Sequence, residues 1–293
     1  MNRIPKVTQA MIDLYDDYTH LTLDRRGFMA KLAKLAGGGA AAAAILPMIA
    51  ASPARAAMVA ADDARLKAER VEYPGADGVT MKGYLVLPAG ASGKLGAVIV
   101  VHENRGLNAH IEDVARRMAL EGFLALAPDF LSPQGGTPGD EDKARELFGG
   151  LDLAATIANG VRTVDWLKRH ERSNGKVGAV GFCWGGGTVN QIAVNSAELA
   201  AAVAYYGAQP SADDASRIRS RVMLHYAGLD ERINANIADF EAALKAAAVD
   251  YRVFVYDGVN HAFNNDTSGE RYDKTAADLA WSRTVAFFKE TLA

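Results

Sequence analysis

Short apolar runs alternate with amphipathic stretches along most of this chain, and the alternation sets the expected architecture. Residues 79–87, 96–101, 123–127, 176–180, 201–206, 222–227 and 251–256 read as strands. The run over 96–101 is apolar throughout, the pattern of a strand buried on both faces. Between these runs the apolar positions fall at helical spacing. Ile111, Val114, Ala115 and Met118 share one face over 111–121, and Leu153, Ile157, Val161, Val164 and Leu167 form a stripe over 152–170. Further helices are expected over 188–194, 233–248 and 275–292. Strands alternating with helices predict an α/β fold, a mostly parallel central sheet with helices on both faces. In such sheets the chemistry gathers on loops at the carboxyl ends of strands.

The first 69 residues depart from this pattern. Residues 11–18 carry apolar positions at roughly helical spacing and predict a short surface helix. The pair Arg25-Arg26 follows, and from Leu35 to Ala54 no residue is charged and alanine and glycine dominate. Ala54-x-Ala56 fits a small-residue cleavage site. Paired arginines, a weakly hydrophobic middle and such an end resemble a twin-arginine export signal over 1–56, read by the twin-arginine export machinery, with a polar linker over 57–69. The expected location is periplasmic, or cytoplasmic if the leader is not used. A stable membrane span is not expected, because the run is glycine-rich and broken by Pro47. The globular unit is expected over 70–293, with no internal repeat and no second domain.

Composition excludes more than it assigns. A net charge of −3, with 49% hydrophobic and 23% charged residues, describes an ordinary globular protein without a nucleic-acid footprint. One cysteine excludes a disulfide framework and, by cysteine count, a cysteine-based zinc site. His102-Glu103 opens like a zinc-protease motif, but no second histidine follows at helical spacing.

The candidate chemistry centres on Gly181-Phe182-Cys183-Trp184-Gly185-Gly186-Gly187, placed between an expected strand and an expected helix. Glycines two before and two after a nucleophilic residue, at a strand-to-helix turn, make a nucleophile elbow. The turn is strained, and a Cβ at either flanking position collides with neighbouring backbone. Cys183 is therefore the candidate nucleophile. Asp230 follows the strand over 222–227 and His261 follows the strand over 251–256. They offer the thiol a base and the base an orienting acceptor, and the chain order of nucleophile, acid and histidine resembles that of the α/β-hydrolase fold.

With these residues in place the chain from about residue 70 resembles the dienelactone hydrolase family, a cysteine branch of the α/β-hydrolase fold. Glu103-Asn104-Arg105-Gly106, the elbow, Gly228-Leu229-Asp230 and Asn260-His261-Ala262-Phe263 carry the resemblance. It implies an ester or lactone hydrolase of the carboxymethylenebutenolidase type, acting on a small molecule through a thioester with no cofactor. It implies a Cys183–His261–Asp230 triad, with oxyanion donors at the backbone N–H groups of Asn104 and Trp184. It also implies that Glu103 hydrogen-bonds the resting thiol and holds it neutral. The family's two carboxylate-binding arginines fall near Pro133 and on Asn265, so neutral substrates are expected to be preferred; Arg105 is the remaining candidate for substrate binding. Two other classes fit the same scaffold, a non-catalytic binding protein and a redox protein using Cys183 as its thiol.

Overall fold

The computed structural model describes residues 6–20, 23–51 and 57–293. The chain opens with three helices, α1 (Gln9–Thr19), α2 (Arg25–Ala36) and α3 (Gly39–Ile49). The strands β1 (Leu66–Pro74), β2 (Thr80–Pro88) and β3 (Leu95–Val101) follow, then α4 (Ala109–Leu120), β4 (Leu124–Asp129), α5 (Glu141–Gly149) and α6 (Leu153–Arg169). The second half runs β5 (Ser173–Phe182), α7 (Trp184–Asn195), β6 (Leu199–Tyr205), β7 (Arg221–Ala227), α8 (Glu231–Asn234), α9 (Ile237–Ala246), β8 (Tyr251–Tyr256) and α10 (Lys274–Leu292).

The strands form one sheet in the order β1-β2-β4-β3-β5-β6-β7-β8. β3 to β8 run parallel, while β2 pairs antiparallel with both β1 and β4. This is the α/β-hydrolase arrangement. Two apolar clusters cover the two faces of the sheet, and Val98, Ile99, Val100 and Val101 are inaccessible between them. Burying each such side chain contributes about 1.5–3 kcal/mol, so a strand apolar on both faces belongs at the sheet centre. Val101 of β3 lies opposite Gly181 of β5, and Phe182 lies opposite Tyr205 of β6. That register brings the loops after β3, β5 and β6 to one level.

Four findings revise the expectation. The stretch read as a linker over 57–69 holds the start of β1, and Val59 is buried with its N–H on Asp113 and its carbonyl on Arg116. The helix expected over 233–248 is split into α8 and α9. Helix α5 is an addition to the expected set of helices.

The fourth concerns the N-terminus. α1, α2 and α3 share an apolar cluster of their own, with Phe28, Leu32, Ile45 and Ile49 inaccessible and Tyr18 stacked on Phe28 at 4.6 Å. This cluster is docked on the sheet domain by buried polar contacts. Arg271 donates to the Ile49 carbonyl at 3.1 Å and pairs with Asp16 at 3.0 Å. Arg145 donates to the Tyr18 hydroxyl at 2.7 Å. Among the described residues no single helix is long and apolar enough to cross a membrane; α2 and α3 pass such a test only together, and they meet at 106°. The expected cleavage site, Ala54-x-Ala56, lies outside the described residues.

Candidate active site

Cys183 is the residue between β5 and α7, and its backbone is held at φ 56°, ψ −117°. A side chain in that region is strained, and the strain persists only where surrounding packing imposes it. The packing is visible at the flanking glycines. A Cβ on Gly181 would lie 2.1 Å from the Gly185 carbonyl oxygen, and one on Gly185 would lie 2.4 Å from the His102 carbonyl oxygen. The Cys183 N–H donates to the Tyr205 carbonyl at 3.0 Å, anchoring the turn to β6.

The loops after β7 and β8 are tied together and carry the other two groups. The Leu229 N–H donates to the Val259 carbonyl at 3.0 Å. Across that junction His261 Nδ1 lies 2.5 Å from Asp230 Oδ2, with both side chains buried. The acceptor fixes the proton on Nδ1, so Nε2 is the atom left to face the thiol. His261 Nε2 is buried without a hydrogen-bond partner among the described residues, and a ring nitrogen of His261 lies within 4.8 Å of Cys183 Sγ. Asp230 also caps α8 through Ile233.

A second imidazole enters from the N-terminal helices. His20, just past α1, places Nε2 3.4 Å from Cys183 Sγ and stands edge-on to His261 at 4.9 Å between ring centres. Its Nδ1 faces the Asp16 carbonyl at 2.7 Å, and Arg232 Nη2 lies 2.9 Å from Nε2. The sequence carried no signal for His20, because it lies in the segment read as a leader.

Electrostatics couple these groups. Burial pushes the Cys183 thiol up, but the His261 and His20 imidazoles outweigh it and bring its pKa down to about 6. Burial works against protonating His261, yet Cys183 and Asp230 hold its pKa well above the ordinary value. Asp230 stays below the usual carboxylate range because the hydrogen bond to His261 outweighs its burial.

The remaining candidates fall into two groups. Asn104 and Trp184 line the same cavity, of about 360 Å³, as Cys183, His20 and His261. The Asn104 side chain donates to the Thr19 carbonyl, and Trp184 stacks on the buried His102 at 5.5 Å. Glu103 is buried close by, but its carboxylate accepts from Asn265 Nδ2 at 2.9 Å, and the thiol's hydrogen-bond partner is His20. The resting arrangement expected from the resemblance, Glu103 on a neutral thiol, is therefore not the one seen. Arg105 is buried beneath α1, donating to the Tyr15 hydroxyl at 2.9 Å with Nε 3.6 Å from Glu141. It does not line the cavity. Arg145 and Arg232 do, and neither was singled out from the sequence. Tyr206 is a further residue the sequence reading passed over. It lines the cavity at φ 39°, with its ring 4.8 Å from His261. The end of a parallel strand was the available signal.

The chain belongs to the dienelactone hydrolase family, whose model matches residues 81–292. A protein of Escherichia coli O157:H7 named "Putative carboxymethylenebutenolidase" is 32% identical over 257 residues, covering 82% of this chain and 93% of its own. A Klebsiella pneumoniae crystal structure titled "Putative Dienelactone Hydrolase" is 30% identical with a TM-score of 0.70, covering 77% of this chain and 99% of that one. The bacterial brefeldin A esterase, at 14% identity and a TM-score of 0.65, shares the fold over 98% of this chain. Family and fold together make the protein an ester or lactone hydrolase of the dienelactone hydrolase type.

Proposed function

We propose that the protein cleaves a small ester or lactone through a Cys183–His261–Asp230 triad and a thioester acyl-enzyme. The observation that carries this reading is the buried His261–Asp230 contact at 2.5 Å, which leaves Nε2 free beside a thiol on a strained elbow. The Cys183 thiol passes its proton to His261 Nε2, the sulfur attacks the carbonyl carbon, and the carbonyl π electrons move onto oxygen. The oxyanion lies against the backbone N–H groups of Asn104 and Trp184; one such donor contributes about 10²–10³ in rate. The tetrahedral adduct collapses, the C–O bond breaks, and protonated His261 delivers its proton to the leaving alkoxide. Water then gives a proton to His261, attacks the thioester, and releases the acid and the thiolate. Asp230 holds the imidazole in the required tautomer throughout.

The cavity, walled by Phe148, Leu153, Trp184 and Ile233, suits a compact acyl group or lactone. The reading of 1–56 as a twin-arginine leader of a periplasmic enzyme also stands as a proposal, supported by the surface position of Arg25 and Arg26 at the start of α2. The decisive experiment is a hydrolysis screen over lactones, aryl esters and short acyl esters, run beside Cys183→Ala. Turnover that disappears in the variant supports the thiol mechanism; equal turnover in both proteins ends it.

A further inference from the structure

We propose that His20, Cys183 and His261 form a binding site for a borderline-soft divalent cation such as zinc, and that its occupation switches the hydrolase off. The inference rests on the thiol-nucleophile reading only for the inhibition; the binding itself rests on the three donors.

Their donor atoms lie within 4.8 Å of one another, with Cys183 Sγ and His20 Nε2 already 3.4 Å apart. Bond lengths of about 2.3 Å to sulfur and 2.0–2.1 Å to nitrogen put ligand atoms about 3.3–3.6 Å apart around a tetrahedral ion. Closing the set therefore needs side-chain shifts of about 1 Å. The orientation of the rings is the stronger argument. Each imidazole turns Nδ1 to an acceptor, His20 to the Asp16 carbonyl at 2.7 Å and His261 to the Asp230 carboxylate at 2.5 Å. Such outer contacts fix the tautomer and raise the basicity of the opposite nitrogen, and they accompany nearly every metal-bound histidine. In both rings that opposite nitrogen is Nε2. The Nε2 of His261 is buried and, among the described residues, has no hydrogen-bond partner, and that of His20 faces the sulfur. Two imidazoles and one thiol suit zinc, and the cavity leaves a fourth position for water.

One group opposes the site. Arg232 Nη2 lies 2.9 Å from His20 Nε2, so its guanidinium must swing away before metal enters; the residue is exposed and has solvent to move into. On binding, the proton shared by Cys183 and His261 passes to solvent as the sulfur–metal and Nε2–metal bonds form. With sulfur and His261 Nε2 both coordinated, neither nucleophile nor base is available. The site needs the N-terminal helices, since they alone bring His20.

The test uses the full-length, chelator-treated protein and cobalt(II) as a spectroscopic stand-in for zinc. One equivalent should produce a thiolate-to-cobalt charge-transfer band with the visible absorption of a tetrahedral ion. Cys183→Ala should abolish the charge-transfer band. His20→Ala should weaken affinity at least tenfold, while His20→Cys, which restores a soft ligand, should recover it. Zinc should inhibit hydrolysis reversibly, with chelator restoring the rate, and the inhibitory concentration should rise at least tenfold in His20→Ala relative to that variant's own uninhibited rate. Cobalt binding without a thiolate band, or equal affinity in wild type and His20→Ala, overturns the site. Cobalt binding in a protein that hydrolyses no ester sustains the metal site and removes the proposed function instead.

Discussion

His20 Nε2 lies 3.4 Å from Cys183 Sγ, although 163 residues of chain separate them. The contact makes the N-terminal helices part of the candidate site. It has a consequence for the thiol in the metal-free protein. Burial alone would leave Cys183 protonated at neutral pH, and the two imidazoles bring its pKa to about 6 instead. A depressed pKa means the thiolate is present above pH 6 and is lost as the pH falls through it. Alkylation by iodoacetamide should accordingly rise through about pH 6 and level off, rather than rise through the usual value of about 8.5. His20→Ala, which removes one of the two imidazoles, should move the midpoint upward. A midpoint near that of a free thiol in the wild type would refute the ion-pair description.

Removing members of the proposed triad should not cost equal amounts. Cys183→Ala and His261→Ala should each lose nearly all turnover with the fold intact. Asp230→Asn should retain more, because the imidazole stays in place with a poorer orienting partner. Single-turnover rates, read beside thermal unfolding, separate lost chemistry from lost structure.

The elbow glycines should divide sharply in stability. A Cβ on Gly185 meets the Val101 and His102 carbonyl oxygens at 2.4–2.5 Å, and backbone cannot move aside cheaply. Gly185→Ala should lose about 3 kcal/mol or more, enough to threaten a domain stable by about 5–15 kcal/mol. Gly187→Ala, two residues on in the same helix, meets nothing nearer than 3.5 Å and should be neutral or stabilising by up to about 1 kcal/mol. Denaturant midpoints of the two variants test the contrast directly.

Much of this site was legible because parallel α/β sheets put chemistry at strand ends. Cys183, Asp230 and His261 each follow a strand whose apolar run is plain in the sequence, and each lies where that rule places it. What escaped were features set by partners distant in sequence. Arg105 stands beside Glu103 in the chain, but α1 covers it, and Tyr15 and Glu141 take its guanidinium. Asn265 was read as a lost arginine, whereas its carboxamide donates to the buried Glu103 carboxylate. His20 and the packing of the alanine-rich stretch were hidden because composition there resembles a leader, whatever surface it also covers. The proposed zinc site sets two imidazoles from opposite ends of the chain around one thiol, a combination that a cysteine count does not address.

Export and capping draw on the same residues, which makes the export proposal testable in a specific way. Replacing Arg25 and Arg26 by lysine should leave precursor in the cytoplasm, and the mature exported protein should begin near Ala57. That mature form would lack His20, so it should also show weaker zinc inhibition than the full-length chain. An exported protein that retains Met1 would identify the helices as a permanent part of the enzyme.

Substrate charge is where the structure changes the expectation most. Neither position aligned with the family's carboxylate-binding arginines is arginine here, which favoured neutral substrates, with Arg105 as a possible substitute. The cavity instead presents Arg232, exposed at its rim, and Arg145, whose guanidinium is already engaged by Tyr18 and Asp142. Arg232 is thus the cation a substrate carboxylate can reach, at the cost of its contact with His20. A charge-assisted hydrogen bond contributes about 1.5–3 kcal/mol when shielded, and solvent at the rim argues for the lower end, or about tenfold. Arg232→Ala should therefore lower kcat/KM for a carboxylate-bearing lactone about tenfold relative to a neutral ester of similar size. The effect should fall mainly on KM, because the contact exists equally in the ground and transition states. Arg105→Ala should leave that ratio unchanged, its loss appearing as weaker docking of α1. A ratio that responds to Arg105 and ignores Arg232 would mean that the N-terminal helices lift away from the site when substrate binds.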